Sequence, residues 1–97
     1  MDKEQWISAE DFCSYYQVEY SFISSLYESG LIEITIEEER RFISIEQIKE
    51  LEKFVHLHYD LDINIEGIEA IAHLLNRIKE MQNEIAGLKR NKFTFSE

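Results

Sequence analysis

Residues 21–45, SFISSLYESGLIEITIEEERRFISI, decide how this chain folds, because helical spacing gives way to strand alternation at a single glycine. Phe22, Ile23, Leu26 and Tyr27 fall on one stripe of a helix that Ser21 is placed to cap, and Gly30 is placed to end it in the left-handed region. From Leu31 to Ile36 apolar and polar residues then alternate, with β-branched side chains prominent. Glu37-Glu38-Glu39 interrupts that pattern, and Arg40-Arg41-Phe42-Ile43 resumes it. The stretch therefore reads as a helix followed by a small two-stranded wing.

Working toward the N-terminus, Ser8 followed by Asp11 forms a helix start, and Ala9, Phe12, Cys13 and Tyr16 recur at helical spacing. This predicts a helix over 9–16, and the short break at Gln17-Val18 makes the two helices a helix-turn-helix. Working toward the C-terminus, Ser44 with Gln47 has the spacing of a capping box. Ile45, Ile48, Leu51, Val55 and Tyr59 continue as the stripe of a third helix to about residue 59. Asp60-Leu61-Asp62-Ile63 breaks the pattern, and Asn64 is placed to cap a fourth helix. In that last helix Ile71, Leu74, Ile78, Met81, Ile85 and Leu88 alternate in steps of three and four, as the a and d positions of a coiled coil do. Two readings of that stripe stand side by side: it pairs with a second copy of the chain, or it packs on the chain's own helices. In a parallel pair Glu84 would face Lys89; in an antiparallel pair it would not.

The expected architecture is mainly α: a winged helix-turn-helix head over 1–63 with a small β-wing, a long amphipathic coiled-coil helix over 64–92, and a flexible tail over 93–97. A chain of 97 residues that is 44% hydrophobic can fill one core and has too little length for two. It contains no proline, so its helix breaks fall to caps and glycine.

Charge narrows the function. The formal net charge is -10 and is unevenly placed: residues 1–63 hold fifteen acids and five bases, and residues 64–97 hold five of each. Such a head repels phosphate and anionic lipid and attracts basic partners. Between Gln17 and Ser29 there is no Lys or Arg, whereas a helix that reads a DNA groove needs cations for phosphates and base edges. Nucleic acid is thus not the expected partner; DNA binding would require a basic surface assembled by dimerisation, and the tail bases Arg77, Lys79, Lys89, Arg90 and Lys92 are its only supply.

His56 and His58 are two apart and point away from each other on a helix, and a single cysteine, Cys13, cannot build a cysteine-based zinc site. There is no phosphate-binding glycine loop, nucleophile elbow or H-E-x-x-H motif. We expect no enzyme activity, no cofactor, no metal, no membrane span and a cytoplasmic location. Four tyrosines cluster near the first two helices. Tyr16 and Tyr27 lie on the apolar stripes and suit the core, while Tyr15 and Tyr20 suit a surface. A partner would meet Tyr15, Glu19, Tyr20, Glu28, the wing acids Glu37, Glu38 and Glu39, and Glu46 and Glu50. Ile71, Leu74, Ile78, Met81, Ile85 and Leu88 would form the dimer seam.

In the order of its elements the chain resembles MerR-type winged helices, and more narrowly the chaperone-modulator, CbpM-like family. The resemblance covers nearly the whole chain. It rests on Phe12-Cys13, on Gly30-Leu31-Ile32 before the wing and Arg41-Phe42-Ile43-Ser44 after it, and on the run from Leu57 to Asn64 followed by Gly67-Ile68. It implies a protein that binds the J-domain of a DnaJ/CbpA-type co-chaperone and blocks its work with DnaK, without chemistry of its own. The alternative is a MerR-like transcriptional regulator or anti-regulator.

Overall fold

The computed structural model describes the backbone of residues 5–95 and the side chains of 5–89. In chain order the elements are β1 (Trp6–Ser8), α1 (Ala9–Tyr16), α2 (Tyr20–Glu28), β2 (Thr35–Glu37), β3 (Arg40–Ser44), α3 (Ile48–Val55) and α4 (Ile65–Phe95). A 3-10 turn, Ile45–Gln47, leads into α3, and a π turn, His56–Asp60, leads out of it.

Helix α1 starts as its sequence dictates, with the Asp11 amide donating to Ser8 Oγ over 3.0 Å. It ends at Gln17, which takes the left-handed conformation (φ 56°) and bridges to α2 through Val18. Helix α2 begins two residues earlier than Ser21 suggests. Glu19 occupies the N-cap with extended backbone and no side-chain cap, and Ser21 lies inside the helix, donating to Glu19 Oε2 over 3.3 Å. Its end is a Schellman motif: the Gly30 amide reaches the Tyr27 carbonyl (3.0 Å), and the Leu31 amide reaches Leu26 (2.9 Å). Gly30 makes this possible at φ +77°.

The wing differs from its sequence reading in two ways. Strand character is confined to Thr35–Glu37, because Leu31 to Ile34 is held elsewhere: Gln47 brackets the Glu33 backbone, accepting from its amide (2.7 Å) and donating to its carbonyl (3.0 Å). Gln47 Nε2 also donates to Ser44 Oγ (3.2 Å), but the expected capping box does not form, because the Ser44 side chain caps no helix amide. Second, the sheet has three strands in the order β1-β3-β2, all antiparallel, with Trp6 opposite Ser44, Ser8 opposite Phe42 and Thr35 also opposite Phe42. A strand of three residues is too short to announce itself by alternation.

Glu38 (φ 51°) and Glu39 (φ 66°) form the two-residue turn between β2 and β3. Both angles are positive, which suits the twist of a hairpin but favours Asn-Gly over two glutamates. Glu38→Asn with Glu39→Gly should raise stability by about 1 kcal/mol or more, read from the midpoint of urea unfolding. Glu38→Gln with Glu39→Gln removes the same charge without relieving the backbone. Equal shifts for the two pairs would mean that charge, not conformation, limits the turn.

One core joins the four helices with β1 and β3, while β2 lies outside it with all three residues exposed. Its fully buried large side chains are Phe12 from α1, Ile23 and Leu26 from α2, Ile43 from β3, Leu51 from α3 and Ile68 from α4. The third helix expected to reach residue 59 instead widens into the π turn. There the Leu61 amide reaches the His56 carbonyl (3.2 Å) and the Ile63 amide reaches Leu57 (3.0 Å). The link to α4 is fixed by His58, whose Nδ1 donates to the Ile63 carbonyl (2.9 Å) and whose ring stacks on Phe22 at 4.6 Å. Asn64 caps α4 by accepting from the Gly67 amide at 2.8 Å. A Cβ at position 67 would lie 2.6 Å from Ile63 Cγ2, so close packing requires glycine there despite its helix cost of ~1 kcal/mol.

After Ala72, α4 leaves the core. Ile71 is half-buried, whereas Leu74, Leu75, Ile78, Met81, Ile85 and Leu88 are exposed. From Leu74 onward the stripe therefore does not pack on the chain's own helices. The helix runs through Phe95, into the segment expected as a tail; Ser96 and Glu97 lie outside the described residues.

Candidate protein-binding surface

The outward face of α2, where a helix-turn-helix protein would meet a groove, carries Tyr20, Ser21, Tyr27 and Glu28, all exposed, with Glu19 at its start. It bears hydroxyls, aromatic rings and carboxylates, and no cation. Tyr27, whose spacing suited the core, is 47% exposed because it lies at the edge of the stripe of Phe22, Ile23 and Leu26 that the core buries. Tyr15 and Tyr20 are exposed as their positions suggested, Tyr15 to 79%. Tyr16 is half-buried: it stacks on Phe12 at 4.3 Å and donates to Glu52 Oε2 at 2.8 Å. That hydrogen bond to a carboxylate, then burial, raises the Tyr16 phenol above its ordinary pKa.

Among the described residues, the bases of the head are Arg40 and Arg41 on β3 and Lys49 and Lys53 on α3. Arg41 lies over the Tyr20 ring at 5.4 Å and Arg40 over Phe42 at 5.6 Å, both in cation–π contact, while Lys49 and Lys53 are exposed on α3. Arg40, Arg41, Tyr20, Glu39 and Cys13 line a recess of about 370 Å³ between the wing and the first helices. Cys13 is half-buried there, and burial pushes its thiol up, which favours the unreactive protonated form.

Helix-turn-helix, three-stranded wing and long final helix thus stand in the order of a MerR-type head, and a family model described as MerR HTH family regulatory protein matches residues 7–90. The chain belongs to that family. No curated protein and no solved structure matches it.

All nine residues singled out as partner contacts in this MerR-family chain are exposed. They do not form one patch. Tyr20 and Glu39 line the same recess, and Glu37 and Glu38 line a second one on the outer face of the sheet. Glu46 lies beside Trp6, Glu28 faces the start of α4 near His58, and Tyr15 sits against Tyr16. The sequence reading missed Trp6 and Phe42, half-buried residues beside the wing acids. No local signal marks them, because the three-residue strand Trp6–Ser8 is too short to show a period and Phe42 reads only as part of the wing.

His56 and His58 go to separate partners. Asp60 Oδ2 accepts from His56 Nδ1 at 2.6 Å, while His58 is held by Ile63 and Phe22.

Proposed function

We propose that this MerR-family chain is a protein-binding adaptor whose acidic head engages a basic surface on another protein. The observation that carries the reading is the outer face of α2, with tyrosines, serines and acids where DNA contact needs lysine or arginine. Every acid brought against a phosphate backbone opposes the counterion release that supplies most of the affinity for DNA. The same acids favour docking of a basic helix, by steering and by charge complementarity. The resemblance to chaperone modulators names such a partner, the J-domain of a DnaJ/CbpA-type co-chaperone. Occupying that domain would block its interaction with DnaK. The exposed seam on α4 supports a homodimer that presents two heads, and a cytoplasmic setting goes with this partner.

The test is calorimetric titration of the chain with J-domains of its host's DnaJ-type co-chaperones at low and at physiological salt. Saturable binding that weakens as salt rises is the expected result; absence of binding to all of them would end the J-domain assignment. The match to regulatory proteins favours a second reading, DNA binding through cations assembled by dimerisation. A salt-sensitive shift of duplex DNA by the chain would support it over the first.

A further inference from the structure

We infer that the outer face of the three-stranded sheet is a receptor for one cationic side chain, an arginine or lysine on a partner protein. The inference rests on the basic partner of the proposed function and adds the place where one of its cations sits. The strand register builds the site. Trp6 and Phe42 are diagonal neighbours on the face opposite buried Ile43, and Glu37 lies on that face, directly across from Arg40. Asp11 at the start of α1 and Glu38 in the turn complete a recess of about 570 Å³.

Two aromatic walls and three carboxylates are a combination that selects cations: ring faces attract them through the quadrupole, and the acids supply net charge. The chain's own Arg40 illustrates the fit, with its guanidinium 5.6 Å from the Phe42 ring centre. One guanidinium against three carboxylates leaves negative charge unbalanced, and among the described residues no cation lies over Trp6. A guanidinium is the better occupant, because its plane stacks on an indole while its edge donates to carboxylates. Arg40 is then a resident competitor, and its removal opens the site to the partner's cation.

Trp6 is the only tryptophan in the chain, so its emission reports on the recess directly. The experiment titrates the full chain with acetylated tetra-arginine amide at physiological salt, with the uncharged tetra-citrulline peptide as control. Saturable change in Trp6 emission with arginine alone is expected. Arg40→Ala should tighten the interaction by roughly two- to fivefold, the factor an exposed cation–π contact carries, and Glu37→Gln should weaken it. Lys49→Ala removes the same charge from α3 and should change little, since distant surface charges are screened. A silent Trp6, or equal effects of Arg40→Ala and Lys49→Ala, would overturn the inference. A J-domain that binds calorimetrically while Trp6 stays silent would overturn the recess and leave the adaptor function standing.

Discussion

Phe12→Ala should leave the head largely unfolded. The ring is fully buried, stacks on Tyr16 at 4.3 Å and belongs to the only buried core cluster among the described residues. Truncating a buried phenylalanine costs about 3–5 kcal/mol, transfer and cavity terms together. A head of this size is stabilised by only about 3–9 kcal/mol at ordinary per-residue values. The loss is therefore comparable with the whole, and the Tyr16–Glu52 hydrogen bond loses its backing ring as well. Far-UV circular dichroism with urea titration reads the outcome. Tyr15→Ala, three residues along the same helix but 79% exposed, should shift the midpoint by no more than about 0.5 kcal/mol. A Phe12→Ala chain that melts cooperatively with a loss under about 1 kcal/mol would mean that the core can close over the missing ring.

The contrast between Phe12 and Tyr15 was readable in the sequence because Phe12 belongs to the apolar stripe with Ala9, Cys13 and Tyr16, whereas Tyr15 falls beside that stripe. The same holds for the Ser8 cap, the Gly30 stop and the Asn64 cap, each of which satisfies amides or carbonyls within a few residues of itself. Features decided by distant contacts were not readable. Gln47 donates to Ser44 Oγ at 3.2 Å but also holds the backbone of Glu33, fourteen residues away, and that distant contact takes Leu31 to Ile34 from the strand. Strand β1 exists because β3 pairs with it, and nothing in three residues signals a partner some thirty-six positions on. Tyr59 completes a helical stripe in sequence, yet the π turn swings it out to 43% exposure, where its hydroxyl accepts from the Glu19 amide at 3.0 Å.

The candidate surface divides in the same way. Composition alone shows that the head is acidic and that α2 lacks cations, and exposure of Tyr15, Tyr20 and the wing acids follows from solvation and helical spacing. Which acids act together depends on tertiary placement. Glu37 and Glu38 join Trp6 and Phe42 through the register of the sheet, while Glu39, next in sequence, turns to the recess beside Tyr20. A run of three identical residues thus serves two recesses, split by the turn that places Glu38 and Glu39 at positive φ.

Ile78→Glu combined with Ile85→Glu should abolish self-association of the chain, measured by sedimentation equilibrium, while leaving the head folded. The apolar stripe from Leu74 to Leu88 spans roughly 21 Å at the rise of an α-helix. Its residues are about half exposed or more, Leu88 to 68%, so pairing would remove about 1 kcal/mol of exposed apolar surface per side chain. Ten or so such side chains in a two-stranded pair supply about 10 kcal/mol, against an association cost of about 4–15 kcal/mol. The balance is close, which predicts a dimer that dissociates on dilution. It also predicts sensitivity, because two glutamates per chain place four charges in the seam, each facing a desolvation penalty of several kcal/mol. Loss of pairing should also lower helicity: beyond Ala72 the helix has no core contact, and single helices of this length are marginal in water. Two controls sharpen the reading. Leu75 flanks the seam rather than lying on it, so Leu75→Glu should weaken association less. Glu84→Lys should weaken a parallel pair by placing it against Lys89, and should spare an antiparallel one. A chain that is monomeric before any substitution, at concentrations where a micromolar dimer would form, would rule out the seam as a self-association surface.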